Sequence, residues 1–253
     1  VRIPFLRSRE YGKILGIDIG GSGIKGAIVD VETGELVNER IRIDTPMPSG
    51  PVEISEAVKS IVEQLDWRDS IGFGFPAVVK DGIASTAANI DSSWIGVNVE
   101  KLFEEITRCR CRVINDADAA GIAELKYGVR ENDKGVILLL TIGTGIGSAL
   151  FVDGNLVPNT EFGHLYYKEI IAEKYCADSI RKKFELDWPT WGDRLNKYLK
   201  YIERVLNPDL IIIGGGVSKK PEKFVQFLDV KTELRMARLQ NNAGIVGAAL
   251  AAL

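Results

Sequence analysis

At 253 residues the chain can bury one large core or two small ones. Apolar residues make up 45% and charged residues 26%, the balance of a soluble globular protein. A net charge of −3 with mixed signs argues against a general nucleic-acid or membrane-surface role, and no apolar run approaches the roughly 20 residues of a membrane span.

The first 13 residues, VRIPFLRSREYGK, carry basic side chains without an apolar stretch, so no secretory signal is expected. Residues 13–19 form an apolar run, glycines interrupt it at 20–23, and residues 24–30 resume it. Glu32-Thr33-Gly34 marks a turn, and residues 36–43 read as a third strand, so the chain opens as an antiparallel meander. Ile54, Val58, Ile61, Val62 and Leu65 recur at helical spacing. Residues 70–75 read as a strand ending at Pro76, 99–107 as a helix capped by Asn98, and 112–114 as a short strand. The alanine-rich stretch 116–127 favours helix, with Gly128 as its stop.

The opening pattern then returns. Residues 136–142 are apolar, 143–147 glycine-rich and 148–152 strand-like, with Asp153-Gly154 a hairpin turn. Setting Gly23-Ile24 on Gly145-Ile146 brings Ala27 onto Ala149 and Ile28 onto Leu150. Two copies of one unit predict a duplicated, two-lobed architecture. The boundary is placed between a smaller α/β lobe at 1–114 and a larger one at 115–240. The small-residue helix of 241–253 is expected to rejoin the first lobe. Trp191, Leu195, Tyr198, Leu199, Ile202 and Leu206 form a helical apolar stripe, suited to a core or a subunit interface. Residues 210–213 read as a buried strand.

Cys109, Cys111 and Cys176 offer no disulfide framework, which predicts reduced thiols and a cytoplasmic protein. His164, the one histidine, has no neighbouring cysteine pair, so no structural zinc is expected.

Three apolar strands end in glycine turns: Gly20-Gly21-Ser22-Gly23, Gly143-Thr144-Gly145 and Gly214-Gly215-Gly216. Such turns let a phosphate approach consecutive backbone N–H groups. The spacing is not that of a P-loop, and the residues after the first turn are β-like, which argues against a dinucleotide fold. Asp18 is a carboxylate inside an apolar strand beside the first turn, costly to bury without a partner, and a candidate Mg²⁺ ligand. Lys25 could offset phosphate charge. Asn115-Asp116-Ala117-Asp118 sets carboxylates at a strand-to-helix junction, where Asp116 could be a helix cap or a general base. Asp118 is an alternative base, two residues on and pointing elsewhere. Glu161 and His164 could fix sugar hydroxyls.

These residues resemble the ROK family of sugar kinases and repressors, and within it the polyphosphate glucokinases. The resemblance runs from about residue 14 to the C-terminus. Its segments begin at Gly16 (GIDIGGSGIKGAIVD), Ala88 (ANIDSSWIG), Asn115 (NDADAAGIAE), Leu140 (LTIGTGIGSALF), Pro158 (PNTEFGHL), Ile213 (IGGGVS) and Leu239 (LQNNAGIVGAAL). It implies a ribonuclease-H-like, actin-like fold with glucose in the cleft and Asp116 as base. Asn89, Asn115, Glu161, His164 and Glu173 match the family's sugar ligands. The first two glycine turns match its phosphate motifs, and Gly214–Gly216 the motif facing adenosine. The donor implied is polyphosphate or ATP with Mg²⁺, and a homodimer is expected. The family's cysteine cluster after the histidine is missing, leaving Cys176 alone, so no zinc is implied. Ala77 stands where the family often has glycine. About a dozen residues precede the first strand, too few for the DNA-binding extension of ROK repressors. Lys25, Lys219, Lys220, Lys223 and Lys231 are candidates for a polyphosphate track. The alternatives are an ATP-dependent hexose or N-acetylmannosamine kinase of the same family, and a non-catalytic sugar sensor.

Overall fold

The computed structural model describes residues 12–128, 134–167 and 169–253; the leader reading of the N-terminus therefore lies largely outside it. In chain order, strands β1 (Lys13–Gly20), β2 (Gly23–Asp30) and β3 (Ile41–Ile43) precede helix α1 (Pro51–Gln64). Strands β4 (Ile71–Phe75), β5 (Val79–Lys80) and β6 (Ile83–Ala84) lead to α2 (Val99–Thr107) and β7 (Cys111–Asn115). Helix α3 (Asp116–Ala123) begins where β7 ends, followed by β8 (Val136–Ile142), β9 (Ile146–Val152) and β10 (Asn155–Val157). The short pair β11 (Tyr166–Tyr167) and β12 (Ile170–Ile171) leads into α4 (Ala172–Cys176), α5 (Asp178–Lys183) and the long α6 (Trp188–Leu206). Strands β13 (Leu210–Gly214) and β14 (Glu233–Met236) and helix α7 (Ala243–Ala251) complete the chain.

The repeat read in the sequence is a repeat of topology. One sheet has the order β3-β2-β1-β4-β7 and the other β10-β9-β8-β13-β14. In each, an antiparallel meander supplies three strands and two parallel strands follow. The glycine turns close the first hairpin of each meander, which places them at equivalent corners of the two sheets.

Helices α3 and α7 lie together between the sheets. Their small residues allow it. A Cβ on Gly72 of β4 would sit 1.7 Å from the Ala248 carbonyl oxygen, and one on Gly16 of β1 would sit 2.0 Å from that of Ile245. Helix backbone thus rests directly on sheet backbone. The apolar residues sort into a cluster drawn from residues 15–113, another around α3, α7 and the facing strands, and a third around α4, α6 and the second sheet.

Several expectations shift at their edges. The third strand was expected over 36–43, but only Ile41–Ile43 pairs as a strand, with Leu36 in an isolated bridge to Val29. The Asn38 side chain accepts from the Ile28 N–H at 2.7 Å, so a side chain substitutes for the main-chain ladder there. Helix α3 gives way after Ala123 to a π-helical turn over Glu124–Gly128. The α6 stripe is core: Trp191, Leu195, Tyr198, Leu199 and Ile202 are fully buried within the chain. All three cysteines are buried and free, and burial pushes the Cys111 thiol up to about 12. No helix among the described residues is long and apolar enough to cross a membrane.

Candidate active site

A cleft of about 450 Å³ lies between the sheets, lined by Asp18, Lys25, Asn89, Asn115, Asp116, Glu161, His164 and Glu173 and by all three glycine turns. Of the glycine-turn residues singled out in the sequence Gly23 is not on its wall, and neither are Asp118, Lys219, Lys220, Lys223 and Lys231. Gly23 closes the first hairpin opposite Gly20, and a Cβ there would meet the Arg42 guanidinium at 2.9 Å.

The position of Asp116 is set by a cap. The cap of α3 is Asn115, whose Oδ1 accepts from the N–H groups of Ala117 at 2.9 Å and Asp118 at 3.1 Å. Its amide donates to the Ala77 carbonyl at 3.1 Å, anchoring the Pro76-Ala77 loop on the cleft wall. Ala77 is absent from the residues with positive φ, so alanine replaces the family's glycine there without backbone strain. With Asn115 as cap, Asp116 is released to face the cleft, steadied by the Ala117 N–H at 2.8 Å. Removal from water, then the Asp18 carboxylate, push Asp116 up to about 7, and Glu161 and Asp118 act in the same direction. A carboxylate poised near neutrality suits a general base. Asp118 is turned away: it is 1% exposed, and its Oδ2 accepts from the Asn159 N–H at 2.7 Å. Burial raises it to about 6.

Opposite Asp116, a short 3-10 turn holds His164, and α4 carries Glu173. His164 Nδ1 lies 3.4 Å from Glu161 Oε2, and its Nε2 lies 3.9 Å from Glu173 Oε2. Burial raises Glu161, opposed by His164 and reinforced by Glu173. Glu173 is 5% exposed and reaches back to the Ile146 N–H at 3.4 Å, tying this polar wall to the second glycine turn. Asn89 approaches from the other side on a loop held by Trp94, which is fully buried against Phe75 and Phe103. The result is a set of carboxylate, imidazole and amide groups converging on one space, as a polyhydroxylated ligand requires.

The glycine turns form the other end. Thr45 Oγ1 donates to the Gly20 carbonyl at 2.5 Å and Arg42 to that of Ser22 at 2.9 Å. Ser179 holds the second turn, its hydroxyl donating to the Thr144 carbonyl at 2.6 Å and its N–H to that of Gly143 at 3.1 Å. Gly215 has φ 75°, and a Cβ there would fall 2.5 Å from the Ile142 carbonyl oxygen, so the third turn presses against the second and only glycine fits. Asp18 sits between these turns and Asp116. Its Oδ2 pairs with Lys25 Nζ at 3.0 Å, and Gly244 at the start of α7 packs against its carboxylate. One carboxylate with cleft space beside it fits Mg²⁺, which holds few protein oxygens and keeps most of its water. Among the described residues no group of three or more His, Cys, Asp or Glu side chains is arranged to hold a metal.

The sequence reading missed part of the wall. Glu124, Gln240, Asn241 and Gly244 also line the cleft. Glu124 is 2% exposed and accepts from the N–H groups of Arg238 at 2.9 Å and Leu239 at 2.7 Å, fixing the approach to Gln240. Its signal was a lone carboxylate in an alanine-rich helix. What it binds lies more than a hundred residues away.

Two sheets of equal order around a cleft with paired glycine turns define the actin-like, ribonuclease-H-like class of phosphotransferase fold. Residues 14–182 match the ROK family, and the chain belongs to it. It is 46% identical to a polyphosphate glucokinase of Mycobacterium tuberculosis over 99% of this chain and 94% of that one. It is 44% identical to the one from Mycobacterium leprae, over 96% of this chain and 75% of that one. The crystal structure of an inorganic polyphosphate/ATP-glucomannokinase from Arthrobacter sp. strain KM superposes with a TM-score of 0.92 at 41% identity, covering 94% of this chain and 97% of that one.

Proposed function

We propose that this protein is a polyphosphate-dependent glucokinase, which transfers a terminal phosphoryl group from inorganic polyphosphate to the 6-hydroxyl of glucose and also accepts ATP. The observation that carries this reading is the placement of Asp116, with its raised pKa, between a polar wall of Asn89, Glu161, His164 and Glu173 and the glycine turns. Relatives named as polyphosphate glucokinases match over nearly the whole chain.

Glucose sits against Asn89, Asn115, Glu161, His164 and Glu173 with its 6-hydroxyl toward Asp116. The donor's terminal phosphoryl group rests on the backbone N–H groups of Gly20–Ser22 and Gly143–Gly145, with Lys25 neutralising charge. Asp116 accepts the hydroxyl proton as the oxygen attacks phosphorus in line and the bond to the leaving phosphate breaks. Most of the acceleration comes from holding the two reactants in line and stabilising charge. Mg²⁺, which Asp18 would hold, supplies charge neutralisation on the donor oxygens. Gly214–Gly216 offers a resting place for the rest of the donor, adenosine included. Residues 1–114 and 115–240 act as two lobes with 241–253 returned to the first, and their closure keeps water from the phosphoryl group. The enzyme works in the cytoplasm as a homodimer; with the α6 stripe used in the core, its subunits meet through another face.

The test is glucose-6-phosphate formation by the purified protein with Mg²⁺ and either polyphosphate or ATP as sole donor. Turnover with polyphosphate above that with ATP supports the reading. Turnover with ATP alone leaves an ordinary ROK kinase, and none with either donor overturns it.

A further inference from the structure

Of the lysines suggested by the sequence as a path for a polyanion, only Lys25 lines the cleft; Lys219, Lys220, Lys223 and Lys231 are exposed and outside its wall. A different set of cations lies in register with the phosphate end. In the first sheet Asp18 of β1 is directly opposite Lys25 of β2, and Lys25 is directly opposite Arg42 of β3. Cross-strand partners share a face, so these three side chains form one rung, advancing about 4.8 Å per strand away from the cleft. Arg42 donates to the Ser22 carbonyl of the first glycine turn. Arg40, two residues before Arg42 on extended chain, reaches Asn241 and Asn242, the residues just before α7 at the cleft margin, at 3.4 Å.

We propose that Lys25, Arg42 and Arg40 form the track along which a polyphosphate chain leaves the cleft over the β1-β2-β3 face. This rests on the reading of polyphosphate as donor. The terminal phosphoryl group lies at the first glycine turn, and the next groups of the chain must leave along whichever wall supplies cations. On this wall they meet Lys25, then Arg42, then Arg40. Arg40 is held by neutral amide and carbonyl oxygens at 3.4 Å, long contacts that a phosphate oxygen can displace. Arg42 is paired at 2.5 Å with Asp44, whose side chain is 83% exposed. An ion pair that open is weak and can be exchanged for a phosphate oxygen. Arginine on an exposed strand presents a planar fork that matches two oxygens of a phosphate. The arrangement places Lys25 and Arg42 one strand spacing apart and Arg40 two residues away along the chain, a row of cations that a linear polyanion can use and a compact nucleotide cannot.

The readout is the ratio of KM for long-chain polyphosphate to KM for tripolyphosphate, which ends near the turn. With both arginines replaced, Arg40→Gln and Arg42→Gln, the track predicts that long-chain KM rises about tenfold more than tripolyphosphate KM. It also predicts that long-chain KM becomes less sensitive to added salt. Arg42→Lys, which keeps the charge but loses the fork, raises the long-chain KM less than Arg42→Gln does. Arg40→Gln alone leaves the Ser22 contact intact and still shifts the ratio, so a folding defect at the turn does not decide the result. The paired substitutions Lys219→Gln and Lys223→Gln leave the ratio at its wild-type value. A wild-type ratio in the double arginine variant, or a raised ratio in the lysine variant alone, overturns the track while leaving polyphosphate as donor. Absence of turnover with polyphosphate of any length in the wild type removes both the donor reading and the track.

Discussion

Burial and the neighbouring Asp18 carboxylate lift Asp116 from 3.8 to about 7, and the shift has two consequences that can be measured separately. Between about pH 4 and pH 7 the folded state keeps a proton that the unfolded chain releases, so stability falls as pH rises through that window. Asp116→Asn removes this burden. It is expected to melt at a higher temperature than the wild type at pH 8, with the gap closing near pH 4, which thermal denaturation at the two pH values checks. The same group must be ionised to accept a proton. The kcat/KM for glucose should therefore rise with pH to a plateau, with a midpoint near 7, and Asp116→Asn should lower kcat by roughly 100- to 10,000-fold. A loss of activity together with a gain in stability would separate a base from a structural aspartate. The sequence put Asp116 ahead of Asp118, which two residues further on should point elsewhere, but left Asp116 as either a helix cap or a base. The fold shows that Asn115 caps the helix, that Asp118 faces Asn159, and that Asp116 is the carboxylate of the pair left for the cleft.

At the scale of elements, the β7–α3 junction and the α7 contact carry the site. Asn115→Ala removes the cap of α3 and the anchor of Ala77 together. A cost of about 1 kcal/mol is expected from the cap alone, read as a lower denaturation midpoint, with KM for glucose raised as the Pro76-Ala77 loop loosens. Gly72→Ala is more severe. Its Cβ would meet helix backbone at 1.7 Å, and no side chain can turn aside to relieve that. Separating α7 from β4 should cost about 3 kcal/mol in chemical denaturation and loosen Gly244 behind Asp18. The helical periodicity of α1 and the cap of α2 were legible because both are local: Asn98 accepts from Lys101 N–H within one turn. The shortened β3 and the π-helical turn were not. Each depends on a side chain finding distant backbone, Asn38 at Ile28 and Glu124 at Arg238 and Leu239.

Across the whole molecule, one residue ties the two sides of the cleft. Asn159, just after β10 of the second sheet, accepts from the Val79 N–H at 2.9 Å and donates to the Val79 carbonyl at 3.0 Å, while its own N–H is held by Asp118. It thus joins β5 to the segment that continues into Thr160 and Glu161. If the proposed sugar wall is right, Asn159→Ala should loosen this link and raise KM for glucose about tenfold with a smaller change in kcat, since the segment leading to Glu161 is tied to β5 through it. Steady-state kinetics at saturating donor distinguishes this from a uniform loss of activity.

The sequence alone determined the duplication, the three glycine turns and the short list of polar residues at strand ends, because each is written in local spacing and composition. It also contained the family pattern that gathers them. Only the tertiary structure decided which of those residues share a space. Gly23 falls behind the turn and Gly244 falls beside Asp18, although both are glycines of comparable motifs. The cations in register beside the first glycine turn are Lys25 and Arg42, set by strand pairing, and not the lysines clustered along the chain. Spacing along a chain fixes the face and turn of each element. Which faces meet depends on how closely two backbones can approach, and here glycine and alanine in β1, β4, α3 and α7 set that distance.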